Sequence, residues 1–249
     1  MSYLILGASS GLGRELAYVL AKNLNNLILI SRDEKDLRAL KADLETKFKI
    51  EVNYFPVDVS SVNETKKFID SNPNLFVETK GVMFPIGMIA ENDNISNNVS
   101  AINSLIQANL GATAYFLSII FPIFKKRNSG VIVGFGSVSS SLGRDVNTIY
   151  ASSKRGLESL FESLSIEALH TQLNIQFYTI GYLNTNLSYG KKTILPKGSS
   201  KKLAQIVYKN LNKKYKKIYY PYWWSIIVLM IKILPFYVIR FIYKFNKNK

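Results

Sequence analysis

A glycine-rich turn set between an apolar strand and a helix constrains this chain more than any other feature. Tyr3–Leu6 is a short apolar run, Gly7-Ala8-Ser9-Ser10-Gly11-Leu12-Gly13 follows it, and apolar residues recur at helical spacing from Gly11 to Leu24. Glycines let the backbone turn tightly and leave no Cβ in the way of a group laid against it. The next helix offers free N–H groups and a positive dipole end at its N-terminus. Gly7, Ser9, Ser10, Gly11, Leu12 and Gly13 are therefore candidate pyrophosphate-binding residues. A glycine triplet alone is common, but here the strand before it and the helix after it supply the required context.

The rest of the chain continues the alternation. Asn26–Ile30, Glu51–Val57, Gly81–Pro85, Gly130–Gly134 and Ile175–Ile180 read as further strands, and Ile218–Tyr220 as a last one. Asp33–Phe48, Val62–Ser71, Ala101–Phe124, Tyr150–Thr171 and Ser200–Leu211 carry apolar residues at helical spacing. Strand–helix alternation with such connections implies a parallel sheet with helices on both faces, and runs such as Leu27–Leu29 suit strands buried on both sides. The expected fold is α/β: one doubly wound, Rossmann-like domain over residues 1–221, with a helical extension over 222–249. No repeat or linker divides the domain.

Composition excludes several function classes. The chain has 249 residues, no cysteine and one histidine, His170, so neither disulfides nor Cys- or His-clustered metal sites are expected. His170 falls at the end of the Tyr150 helix, where a dipole partner is the simplest role. The N-terminus enters a strand directly, without a basic leader, so a cytoplasmic location is expected. The net charge of +15 is concentrated: from Ala168 onward there are fifteen Lys/Arg and no Asp or Glu. A basic block of this kind attracts an anionic surface or substrate. The bland alternative is scattered surface lysine, which does not explain why acid vanishes from one segment.

Two groups of residues suggest chemistry. At the end of the second strand Ser31 and Arg32 stand where an acid would favour the free ribose hydroxyl of NAD(H). An arginine fork can instead pair with a 2′-phosphate, so NADP(H) is expected, although Asp33 next door could offset it and Arg32 could be merely solvated. The second group is Tyr150 and Lys154, four apart on one helical face. A free phenol titrates near ~10, and a neighbouring ammonium would lower that and make the tyrosine a usable acid. Ser137 lies just after the fifth strand. Asn109 sits within an apolar helix, where an amide must be hydrogen-bonded to be tolerated. The polar stretch Asn92–Asn98 shows no evident chemistry.

These motifs, in this order, resemble the classical short-chain dehydrogenases/reductases over roughly residues 3–190. The matches are the glycine turn, Asp58-Val59, Asn109, Ser137, Tyr150 with Lys154, and Thr185 in Ile180–Leu187. The resemblance implies that Ser137 bonds a substrate carbonyl, Tyr150 donates the proton, Lys154 tunes Tyr150 and holds the nicotinamide ribose, and Asn109 fixes a water. Asp58 and Val59 would contact adenine, Gly87 the nicotinamide side, and Thr185 the carboxamide or pyrophosphate. Three positions depart from the family pattern: Leu6, the turn Phe84-Pro85-Ile86-Gly87, and Ile180. The family's dimers and tetramers make a homo-oligomer possible.

The C-terminal segment is less specific. Residues 186–198 mix Leu, Tyr and Ile with Lys191, Lys192 and Lys197, as a substrate cover or as a plain lid with solvated lysines. From Trp223 to Tyr243 the chain is apolar, yet Ser225, Lys232, Arg240 and Lys244 gather on one face and Pro235 interrupts it. That is the pattern of an interfacial helix on an anionic membrane surface. Docking on the protein's own core and a true span are the alternatives. In character the tail resembles that of bacterial family members acting on lipid-linked sugars, which implies an amphiphilic or lipid-linked carbonyl substrate. The aromatics do not interleave with the lysines, so nucleic acid is not expected. A soluble reductase of small ketones or 3-oxoacyl groups, and a non-catalytic NADP-binding scaffold, remain alternatives.

Overall fold

The computed structural model of the chain describes residues 1–90, 93, 98–184 and 195–246. Strands β1 (Ser2–Leu6), β2 (Leu27–Ser31), β3 (Val52–Pro56), β4 (Thr79–Phe84), β5 (Val131–Ser137), β6 (Asn174–Ile180) and β7 (Lys216–Tyr220) form one sheet. Every pairing is parallel, in the order β3-β2-β1-β4-β5-β6-β7. The chain runs outward from β1 to β3 and then returns to lay β4 on the other side of β1. The order therefore reverses between β1 and β4, and the crevice at the carboxyl ends of those strands is where such sheets bind ligands.

Helices α1 (Gly11–Lys22) and α2 (Glu34–Phe48) follow β1 and β2, and α3 (Val62–Ser71) with the short α4 (Pro73–Val77) precedes β4. Between β4 and β5 run α5 (Val99–Ile106), one π-helical turn (Gln107–Gly111) and α6 (Ala112–Lys126). A 3₁₀ turn (Val138–Ser141) then leads to α7 (Thr148–Glu167), and α8 (Ser200–Asn210) joins β6 to β7. Two helices end the described chain, α9 (Trp224–Ile233) and α10 (Phe236–Asn246).

Period-two alternation in the strands decides which core each residue joins. Tyr3 and Ile5 face Leu16, Leu20, Leu40 and Leu203 of α1, α2 and α8. Leu4 and Leu6 face the opposite cluster, where Phe68, Phe116, Phe124 and Phe161 of α3, α6 and α7 are buried. Each such fully buried side chain favours folding by about 1.5–3 kcal/mol over exposure. The run Val99–Lys126 is apolar and long enough to cross a membrane, but 56% of its apolar 18-residue stretch is buried in the domain. It is a core helix of the domain.

The expected strands and helices are all present, with instructive differences. The helix expected over Ala101–Phe124 is interrupted by its π turn. The fifth strand runs three residues further and ends on Ser137 itself. The tail breaks at Leu234-Pro235 into two helices of 10 and 11 residues, both shorter than the ~20 residues that a span requires.

Candidate active site

The glycine turn is shaped by contacts that only glycine allows. Gly7 has φ +94°, and its N–H donates to the Ile30 carbonyl at 2.7 Å. At Gly13 a Cβ would stand 1.9 Å from the Gly7 carbonyl oxygen, so α1 can lie this close to the turn only without a side chain there. Ser10 precedes α1 without a side-chain cap bond, and no acid occupies the helix's first turn. Its leading N–H groups are thus available to an anion, which fits a pyrophosphate. Gly11 follows at φ +52°, and Leu12 is buried beneath the turn.

Two side-chain pairs mark the end of β2, where an adenosine is expected. Ser9 and Ser31 hydroxyls lie 2.8 Å apart, tying the turn to the end of β2. Arg32 lies 3.9 Å from Asp58, with its own side chain 76% exposed. The possible rival, Asp33, is committed elsewhere: its carboxylate caps α2 by accepting from the Asp36 N–H at 2.9 Å. Asp58 is held by the Ser60 N–H and hydroxyl at 2.9 and 2.7 Å, with Val59 buried beside it.

Four further residues converge at the carboxyl ends of β4 and β5. The Lys154 ammonium is buried and donates to the Ile86 carbonyl at 2.8 Å and to the Phe135 carbonyl at 3.2 Å. Burial lowers its pKa from the ordinary lysine value to about 8. Asn109, fully buried in the π turn, pairs with the backbone of Met88 in both directions at 2.9 Å. Gly87 lies between them: a Cβ there would meet Lys154 Nζ at 3.7 Å and Asn109 Oδ1 at 3.9 Å. The altered turn Phe84–Gly87 thus reaches Lys154 through the Ile86 carbonyl, and Asn109 holds the backbone of Met88 just after it.

Tyr150 departs from expectation in one respect. Its pKa is raised, not lowered: burial favours the neutral phenol, and a hydrogen bond from Ser137 works against the rise. Lys154 spends its donors on two carbonyls. Ser137 Oγ also lies 2.8 Å from Ser139 Oγ, and the Ser137 carbonyl accepts from the Ser140 hydroxyl at 2.6 Å.

Sequence reasoning missed several supporting residues. Asp93, in the stretch read as lacking chemistry, is 3% exposed, and its carboxylate accepts from the N–H groups of Ile149 and Tyr150 at 2.8 and 2.9 Å. Its carbonyl accepts from Thr148 at 3.2 Å. Asn147, which precedes α7, is left-handed and makes no cap bond, so Asp93 caps the helix from 54 residues upstream. No local spacing announces such a pair. Glu158 on α7 receives the Ser140 hydroxyl and pairs with Lys217 of β7, which also reaches Glu162 at 3.0 Å. Thr185 and residues 186–194 lie outside the described residues. Among the described residues no group of His, Cys, Asp or Glu could hold a metal ion.

The sequence profile of the family described as short chain dehydrogenase matches residues 2–193. The chain is 27% identical over 209 residues to an NADP-dependent 3-hydroxy acid dehydrogenase of Schizosaccharomyces pombe, covering 83% of this chain and 79% of that one. It is 26% identical over 226 residues to a very-long-chain 3-oxoacyl-CoA reductase of Vanderwaltozyma polyspora, covering 84% and 63%. Among solved structures, a short-chain dehydrogenase from Sphingobium yanoikuyae in complex with NADPH superimposes with a TM-score of 0.79 at 21% identity, over 89% and 88% of the two chains.

Proposed function

The chain belongs to the short chain dehydrogenase family and is an oxidoreductase acting on hydroxyl and carbonyl groups, and from that premise we propose that it reduces an amphiphilic ketone at a membrane surface. Its cofactor is NADP(H), as the name of the 3-hydroxy acid dehydrogenase relative indicates for that protein. The observation that carries the reading is the convergence of Tyr150, Ser137, Asn109 and a buried, carbonyl-held Lys154 beside a glycine turn fit for a pyrophosphate.

When bound, the nicotinamide supplies the hydride. The N-terminus of α1 and the turn Gly7–Gly13 would hold its pyrophosphate, Ser31 and Arg32 the 2′-phosphate, and Asp58 and Val59 the adenine. Ser137 donates a hydrogen bond to the substrate carbonyl oxygen, and Tyr150 delivers the phenolic proton to that oxygen as negative charge develops there. Lys154, its pKa lowered to about 8 by burial and its ammonium held by the Ile86 and Phe135 carbonyls, would hold the nicotinamide ribose. Asn109 holds the Met88 backbone and with it the turn that cradles the ammonium.

The membrane part rests on the tail. On α9, Trp224 and Val228 are buried against the domain, while Ile226, Leu229, Met230 and Ile233 are each more than half exposed. Such an apolar face, on a segment rich in lysine and free of acid, suits an anionic interface. The relatives named for 3-hydroxy acid and very-long-chain 3-oxoacyl-CoA chemistry support a substrate with an apolar chain and an acyl-type carbonyl. The deciding experiment is a fluorescence titration with NADPH and NADH, for the wild type and for Arg32→Ala. Tight NADPH binding that weakens at least tenfold in the variant, with NADH unchanged, supports the reading. Failure to bind either nucleotide overturns it.

A further inference from the structure

The last described helix, α10, leaves several large apolar side chains exposed. Among the described side chains of α10 only Ile239 is buried, whereas Phe236, Tyr237 and Phe241 are 63%, 74% and 61% exposed. These residues form one wall of an open groove of about 600 Å³, within the ~300–1,000 Å³ range of ligand sites. The facing wall is Gly143 and Asp145, and a Cβ at Gly143 would meet nothing within 4 Å. Among the described residues that line the groove, Arg240 and Lys244 are the cations and Asp145 the carboxylate.

The position of that facing wall matters. Gly143 and Asp145 belong to the segment joining Ser137 to Tyr150, and chain length alone keeps Gly143 within about 20 Å of Ser137. The 3₁₀ turn that begins this segment is packed against α9, and α10 shares the lining of the groove with Gly143 and Asp145 further along it. A ligand in the groove would therefore lie alongside the chain that carries both catalytic hydroxyls.

We infer that the groove between α10 and residues 142–147 binds the apolar chain of the carbonyl substrate, with an anionic group of that substrate at Arg240 and Lys244. This deepens the reductase reading and rests on it. The rings of Phe236, Tyr237 and Phe241 supply apolar contact, and two cations supply charge complementarity for a carboxylate or phosphate. The groove is distinct from the apolar face of α9, whose Leu229 and Met230 do not line it. Binding the membrane and binding the substrate chain are thus assigned to different helices.

The test uses the full-length protein and cis-parinaric acid, a fluorescent fatty acid, kept below micelle-forming concentrations. Saturable binding is expected. Affinity should fall at least tenfold in Gly143→Leu, which fills the groove from the domain side, and in Tyr237→Asp, which changes an exposed residue. Arg240→Ala should weaken it severalfold, whereas Met230→Asp should leave it unchanged. A second arm follows NADPH oxidation with 3-oxoacyl-CoA thioesters of increasing length, where kcat/KM should climb with chain length in the wild type and lose that dependence in Gly143→Leu. Absent saturable binding, or affinity unchanged in Gly143→Leu, overturns the groove. So does reduction that ignores chain length, or a dimer that Gly143→Leu dissociates while probe binding persists, which would give the groove to a second copy. Probe binding with the expected variant pattern but no NADPH oxidation on any carbonyl overturns the reductase reading and leaves the groove standing.

Discussion

Lys154 carries opposite consequences for stability and for chemistry. Burial lowers its pKa from 10.5 to about 8, so below pH 8 the folded protein bears the cost of a desolvated ammonium. As pH rises from about 8 to 10.5 the folded chain releases that proton while the unfolded chain keeps it, and stability from this group rises. Relative to Lys154→Met, the wild type should therefore gain about 2–3 kcal/mol between pH 7 and pH 10, read from urea melts at the two values. The variant should reduce no ketone at either pH. Asp93 makes a second prediction. Its carboxylate accepts two N–H groups at the start of α7, so Asp93→Ala should lose about 1–2 kcal/mol of stability. Tyr150 would also shift, lowering kcat by about ten- to a hundredfold, while NADPH affinity stays within about twofold. Asp93→Asn retains one acceptor and should fall between. At this scale the sequence was legible in placing Tyr150 and Lys154 on one helix, though not in the direction of the Tyr150 shift, and mute where a partner is distant. An aspartate among asparagines gives no hint that it caps a helix 54 residues later.

Among the elements, the glycine turn and α1 behave as one unit. Gly13→Ala places a methyl group 1.9 Å from the Gly7 carbonyl, and either the helix or the turn must move. NADPH affinity should drop at least tenfold, with secondary structure by circular dichroism unchanged, since the change reaches the turn before the sheet. The strands were readable because their apolar runs are continuous and short, as a sheet covered on both faces demands. The interruption at Gln107–Gly111 was not readable. Nothing in Ala-Asn-Leu-Gly distinguishes a π turn from an α turn, yet that turn buries Asn109 opposite Met88. The Glu158–Lys217 pair was equally hidden. Lys217 looked like one lysine of a basic run, but Glu158 and Glu162 hold its ammonium above the ordinary lysine range despite the opposing effect of burial. That pair fastens the last strand to α7, the helix that carries Tyr150.

For the molecule as a whole, the tail is both part of the domain and a surface. Trp224 lies against the turn after β6, where a Cβ on Gly181 would stand 1.9 Å from its indole nitrogen. Removing residues 222–249 would therefore uncover the domain surface under Trp224 and take away the exposed apolar face of α9. The truncated chain should melt at a lower temperature than the wild type and oxidise NADPH more slowly, as seen by calorimetry beside a steady-state assay. Met230→Asp isolates the surface effect. It should keep the wild-type melting temperature and lose sedimentation with anionic vesicles, and the wild-type association should itself weaken as salt is raised.

The order in which the walls of the groove emerge during synthesis has a consequence of its own. Residues 142–147 are made early, whereas Phe236–Phe241 follow Tyr150 by roughly ninety residues, or roughly 5–18 s at ordinary elongation rates. Through most of that interval the segment from Ser137 to Tyr150 has neither α9 nor α10 beside it. A nascent chain can build the sheet through β6 and fold its glycine turn while the groove is still half a site. Nucleotide capture can thus precede substrate capture in the life of each molecule. Apolar chains in the surrounding medium meet a complete groove only after the tail has emerged and folded back.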